Sequence, residues 1–115
     1  MNWYITKVIF AIKQEGNEST SQFDEQLRLI SAEDQEEAFL KARALGLSEE
    51  DCFYNEKKKQ VRWEFINVSE VTPLTALEDG VELHSRIHET DAGSNYIHFV
   101  HMKAIGIRLA TFVPN

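Results

Sequence analysis

A chain of 115 residues and 13.3 kDa, 43% hydrophobic, can bury the core of one domain without disulfides or a structural metal, and its composition excludes global disorder. Nineteen Asp and Glu against twelve Lys and Arg leave a net charge of −7, which sets the chain against a nucleic-acid partner. The one basic cluster, Lys57-Lys58-Lys59, sits beside Glu56 and reads as a solvated hairpin turn. The single cysteine, Cys52, excludes an intramolecular disulfide and fits a reducing compartment. Lys7 and Lys13 interrupt the first apolar run, so no secretory leader is expected, and no stretch has the apolar length of a membrane span. The expectation is a cytoplasmic protein with no membrane contact.

Residues 2–13 are rich in β-branched and aromatic types and read as a strand. Residues 14–21 hold Gly, Asn, Ser and Thr and read as a loop, and 22–30 form a second strand, giving a hairpin. Ser31 reads as the N-cap of a helix whose first turn carries Glu33, Asp34, Glu36 and Glu37 at the positive end of the dipole. Ala38, Phe39, Ala42 and Leu45 make its apolar stripe, Glu37 and Lys41 are spaced for an ion pair, and Gly46 reads as the stop.

A short extended piece at Cys52–Tyr54 and a turn at 55–58 lead into a long strand over 60–71, stopped by Thr72-Pro73. Asp79-Gly80 is a turn signal, and 81–89 reads as a further strand. Ser94 reads as the cap of a second helix in which Ile97, Val100 and Ala104 share a face. From Ile105 the apolar residues alternate, so 105–115 reads as a C-terminal extension in strand form, distinct from a single domain over 1–104. Such a strand pairs within its own sheet or with a second copy.

Strand residues of one parity share a face. Trp3, Ile5, Lys7 and Ile9 form one set, and Phe23, Glu25, Leu27 and Leu29 a second. Val61, Trp63, Phe65, Asn67 and Ser69 form a third, and Val81, Leu83, Ser85 and Ile87 a fourth. Lys7, Glu25, Asn67 and Ser85 thus interrupt faces that otherwise read as core. A buried polar group needs a partner, so these residues either line a pocket or form structural pairs. In the pocket reading Trp3, Phe23, Trp63 and Phe65 are aromatic walls, and Glu25 is a candidate acid or base. In the pair reading Lys7 meets Glu25 across the hairpin, while Asn67 and Ser85 satisfy backbone groups. A further reading places the core on the opposite face of the first strand, through Tyr4, Val8, Phe10 and Ile12.

Trp3-Tyr4, Phe23-Asp24-Glu25-Gln26-Leu27-Arg28-Leu29-Ile30, Glu36-Glu37-Ala38-Phe39 and Trp63-Glu64-Phe65-Ile66-Asn67-Val68-Ser69-Glu70 resemble a family of small bacterial proteins defined only as a domain of unknown function. The resemblance runs from the N-terminus to about Ala104, and the tail from Ile105 departs from it. It implies a bacterial cytosolic α+β domain and supplies no reaction, cofactor or catalytic residue.

His84 and His88 lie four apart on the expected strand, and His98 and His101 three apart on the second helix. They are the candidates for a metal site, but no His-Glu-x-x-His motif or Cys pair accompanies them, and surface histidines are the expected outcome. Cys52 follows Glu49, Glu50 and Asp51, an environment that does not stabilise a thiolate nucleophile. No nucleophile elbow, phosphate loop or dinucleotide fingerprint is present, and no cofactor is expected.

The order strand, strand, helix, strand, strand, helix gives an α+β fold: an antiparallel sheet of four to six strands with two helices on one face. The face left uncovered argues for a homodimer. The expected function is a non-enzymatic, self-associating protein-interaction module with an acidic surface for a protein partner. The alternative is a small-molecule-binding protein or minor enzyme using a pocket around Glu25 and Asn67.

Overall fold

The computed structural model describes residues 1–17 and 22–111. Strand β1 (Asn2–Gln14) and β2 (Phe23–Ala32) form the hairpin, and α1 (Gln35–Ser48) follows. Then come β3 (Asp51–Tyr54), β4 (Gln60–Leu74) and α2 (Gly93–Thr111). This is the expected α+β order. The four strands make one antiparallel sheet in the order β2-β1-β4-β3. Residues 18–21 of the expected hairpin loop, and Phe112 and Val113 of the expected terminal strand, lie outside the described residues. The chain divides into two compact units, Met1–His84 and Ser85–Asn115.

In the first unit α1 packs on one face of the sheet, and that face is the one carrying Tyr4, Thr6, Val8 and Phe10, all buried. The parity set Trp3, Ile5, Lys7 and Ile9 lies on the other face, so the choice of core face on β1 is corrected. The deciding chemistry is the residue at the centre of each row. Thr6 is fully buried because its hydroxyl donates to the Arg28 carbonyl at 3.0 Å. Lys7, on the other face, instead sets its ammonium 3.5 Å from the Glu70 carboxylate, at the border with water.

Strand β4 breaks its own alternation. Its register on β1 shifts between Lys7↔Glu70 and Val8↔Val68, and again between Ile9↔Asn67 and Phe10↔Phe65. Ser69 and Ile66 are therefore extra residues without a β1 partner, two bulges three residues apart. Phe65 and Val68 are buried with Ala38 and Ala42 of α1, whereas Asn67 and Glu70 are exposed on the opposite face. The expected single face from Val61 to Ser69 is split by these bulges.

Helix α1 is capped by Asp34, not Ser31, because β2 continues to Ala32. The Asp34 carboxylate accepts the Glu37 N–H at 2.8 Å. Lys41 donates to the Ser31 carbonyl rather than pairing with Glu37. The buried stripe of the helix is Ala38, Ala42 and Gly46, with Phe39 and Leu45 packed at its sides. Gly46 is an interior helical residue and not the stop. A Cβ there would collide with the Phe65 ring and lie 3.1 Å from Val8. Glycine is required by close helix–sheet approach, and the helix runs on to Ser48.

The basic cluster forms the expected turn between β3 and β4. Asn55 Oδ1 accepts from the N–H of Lys57 and Lys59, and Lys58 adopts a φ of 59°. Residues 81–89 form no strand, although the turn before them closes with Val81 N–H on the Glu78 carbonyl. Alternation alone does not make a strand without a ladder to join, and Ile87 is 91% exposed.

The second unit is built on α2, which starts at Gly93 and continues through residues 105–111, where a strand was expected. Ile97, Val100, Ala104 and Ile107 keep helical spacing across that boundary. No proline intervenes, and a single interior glycine, Gly106, costs only about 1 kcal/mol. Lys103 lies 4.8 Å from the Phe99 ring centroid, and the His88 and Tyr96 rings are 5.1 Å apart. No helix among the described residues is long and apolar enough to cross a membrane.

Candidate functional site

The face of the sheet opposite α1 is the principal candidate. Trp3, Leu27 and Leu29 are 43, 53 and 44% exposed there, beside half-buried Ile5 and Ile9. Three of the four polar intruders lie on the same face. Ile9 is flanked by Glu25 on β2 and by Asn67 on β4, and Lys7 lies two residues along β1. Lys7 pairs with Glu70 of β4 at 3.5 Å, which corrects the expected pair with Glu25. Lys13 and Glu64 make a second ion pair at 2.9 Å, and Lys13 holds the Glu64 carboxyl below its ordinary value, first through that hydrogen bond. Glu25 and Asn67 are exposed on an open face. Ser85 belongs to the second unit.

Trp63 lies on the α1 face, not with Asn67. Its indole N–H reaches over β1 to the Asp24 carboxylate on β2 at 3.1 Å, while its ring stacks on Phe53 with centroids 5.7 Å apart. Asp24 begins a polar chain along the inner face of β2. Gln26 donates to Asp24 at 2.7 Å, and Arg28 donates to Gln26 at 2.9 Å. Arg28 then makes a two-pronged contact with Glu49 at 2.6 and 2.9 Å. That fork lowers the affinity of Glu49 for a proton and raises that of Arg28, chiefly through the hydrogen bond itself. The chain ties β2 to the end of α1 and to β4, so its arrangement is structural.

Two free borders of the sheet differ in a way the sequence did not reveal. The Ile12 N–H donates to the Gln22 carbonyl at 3.0 Å. Antiparallel pairing alternates, so the even residues of β2 face β1, and Phe23, Glu25, Leu27, Leu29 and Ser31 turn their backbone groups outward. On β4 the same alternation turns Phe65, Val68, Val71 and Pro73 outward beyond the end of short β3. The Phe65 N–H is taken by Glu50 at 2.9 Å, the Val68 N–H by Asn67 Oδ1 at 2.9 Å, and Pro73 has none. Asn67 thus satisfies a backbone group.

The other candidates are dispersed. His84, His88, His98 and His101 are all exposed, and the strand that would have aligned the first two is absent. Among the described residues no three His, Cys, Asp or Glu side chains converge in a group able to hold a metal ion. A shallow hollow of about 420 Å³ is lined by Glu50, Asp51, Cys52, Arg62, Trp63 and Glu64. Three of its polar groups are already engaged: Glu50 on the Phe65 N–H, Glu64 on Lys13, and the Cys52 sulfur accepting from Gln60 at 2.9 Å.

Residues 3–85 match the family model described as Domain of unknown function (DUF4288). The chain belongs to that family. The match takes in β1 to β4 and α1, and ends beside the His84/Ser85 boundary between the two units. It stops short of Ala104, so α2 lies outside the matched segment. No curated protein and no solved structure matches the chain.

Proposed function

We propose that this protein is a non-enzymatic, self-associating interaction module of the bacterial cytoplasm. The observation that carries the reading is the sheet's second face, where Trp3, Leu27 and Leu29 remain exposed in a row of apolar side chains while α1 covers only the first. Water-exposed apolar surface of this kind is stabilised by association. The same face holds Lys7 and Glu70 as a neutral pair, which lets it approach another protein surface without an unpaired ammonium. Charge points to the chemistry of a further partner. The family unit, residues 1–84, holds nine Lys and Arg against seventeen Asp and Glu, a net −8, so a basic protein surface suits it.

Light scattering of the full chain across a dilution series tests the reading. Association is expected as a mass above 13.3 kDa that falls on dilution. Leu27→Glu, which leaves the α1 face untouched, is expected to give the monomer mass. A single 13.3 kDa species at every concentration overturns self-association.

A further inference from the structure

We propose that two copies join edge to edge through β2, turning two four-stranded sheets into one continuous sheet of eight strands. The inference rests on the self-association reading above and adds a second surface to it, the sheet edge beside the exposed apolar row. Of the two long free borders, only one is fit for pairing. The outward N–H groups of β4 are closed at Phe65 by Glu50 and at Val68 by Asn67, and Pro73 has none to offer. Two bulges bend the same strand. These are the devices by which a sheet edge is kept from pairing.

Strand β2 has none of them. It pairs with β1 in unbroken register from Ala32 to Phe23 and contains no proline, glycine or lysine. Its outward backbone groups lie at Phe23, Glu25, Leu27, Leu29 and Ser31, and among the described residues only the Ser31 carbonyl is used, by Lys41. Ten residues of strand thus present a nearly complete row of donors and acceptors.

The occupant is a second copy because the strand pairs its own opposite charges in one register, centred on Gln26, whereas centring on Leu27 avoids like charges but pairs no opposite ones. An antiparallel pair about a twofold axis places residues symmetrically around its centre. Centring on Glu25 sets that carboxylate against its own copy, and centring on Arg28 sets guanidinium against guanidinium. Like charges directly opposite are destabilising. Centring on Gln26 places Asp24 opposite the second copy's Arg28, twice by symmetry, and Gln26 opposite Gln26. Phe23 then faces the second copy's Leu29 on the open side of the sheet. Glu25 and Leu27 exchange main-chain hydrogen bonds. The exposed apolar rows of the two copies become one surface.

Hydrogen exchange read by fragment mass spectrometry on the full wild-type chain, above and below its association midpoint, tests this directly. The amides of Glu25, Leu27 and Leu29 should slow by at least about tenfold on association, while the outward Val71 amide is unchanged. A covalent trap gives a second readout. In a Cys52→Ser background, Gln26→Cys should form an intermolecular disulfide under mild oxidation, because residues opposite at such a site have Cα atoms about 4.5 Å apart. Ser69→Cys, on the bulged β4, should not. An associated protein whose β2 amides exchange as fast as that of Val71 overturns edge pairing and leaves self-association standing. A protein that stays monomeric at all concentrations overturns both. If Gln26→Cys does not fold, the wild-type exchange pattern alone decides.

Discussion

The two faces of β1 are nearly equal in apolar content and opposite in fate. Tyr4, Val8 and Phe10 are sealed under a helix, while Trp3, Ile5 and Ile9 stay partly in water. The inner face closes because α1 approaches with its smallest residues, Ala38, Ala42 and Gly46, letting Phe10 and Phe65 meet edge to face with ring centroids 6.0 Å apart. The outer face has no such counterpart among the elements of its unit. Hydrophobicity therefore does not choose the core; the polar residue within each row and the shape of the covering element do.

The largest test of that contrast is to exchange the central residues. Thr6→Lys puts an unpaired ammonium under α1 and is expected to cost more than about 3 kcal/mol, read as loss of cooperative thermal unfolding. Lys7→Thr, on the outer row, should leave the melt within about 0.5 kcal/mol of wild type. Next in size is the helix contact itself. Gly46→Ala drives a methyl into the Phe65 ring and should lower stability by about 1–3 kcal/mol in urea titration, despite the better helix propensity of alanine. Gly106→Ala, where an added Cβ meets nothing within 4 Å, should not destabilise.

Leu29→Ser probes the outer face. At concentrations where the chain is monomeric it should change stability by no more than about 0.5 kcal/mol, and it should weaken association. The smallest effect is electrostatic. Arg28 and Lys13 hold the carboxyls of Glu49 and Glu64 below their ordinary values. The stability they lend is complete above the unfolded glutamate value of about 4.3 and is lost as pH falls through the lower folded values. Both pairs are exposed, so the loss should be slight and further reduced by salt. Arg28→Met should flatten the Glu49 share of that acid limb in thermal melts taken between neutral and acid pH.

How far the fold could be read from the residues follows from the same physics. The hairpin, the first helix, the 55–58 turn and the long β4 strand are legible because their signals are local: β-branched runs, charges at a helix start, Asn and Lys in a tight turn. The core face of β1 reads both ways in the sequence, since only Thr6 against Lys7 separates two apolar rows. The strand expected at 81–89 and the one expected from Ile105 fail for a related reason. Period-two alternation needs a neighbour to become a strand, and Ile107 satisfies a helical period equally well. For the candidate site, Lys7, Glu25 and Asn67 do share a face. That outcome was out of reach of simple parity, which put Asn67 with Trp63, because a bulge leaves no mark in composition. The carboxylate of Glu50 on the Phe65 N–H has no sequence signal at all.

The paired bulges of β4 carry a consequence of their own. One extra residue shifts the reading phase of a strand, and a second restores it, as two insertions in a message can cancel. Val61, Trp63 and Phe65 face inward before the first extra residue, and Val71 faces inward after the second; only Asn67 and Val68 are read out of phase between them. Removing Ile66 alone or Ser69 alone should close that bulge and leave every remaining side chain on the face it already occupies. Removing both should return a shorter strand whose remaining letters still make sense, with the out-of-phase interval erased and the fold retained.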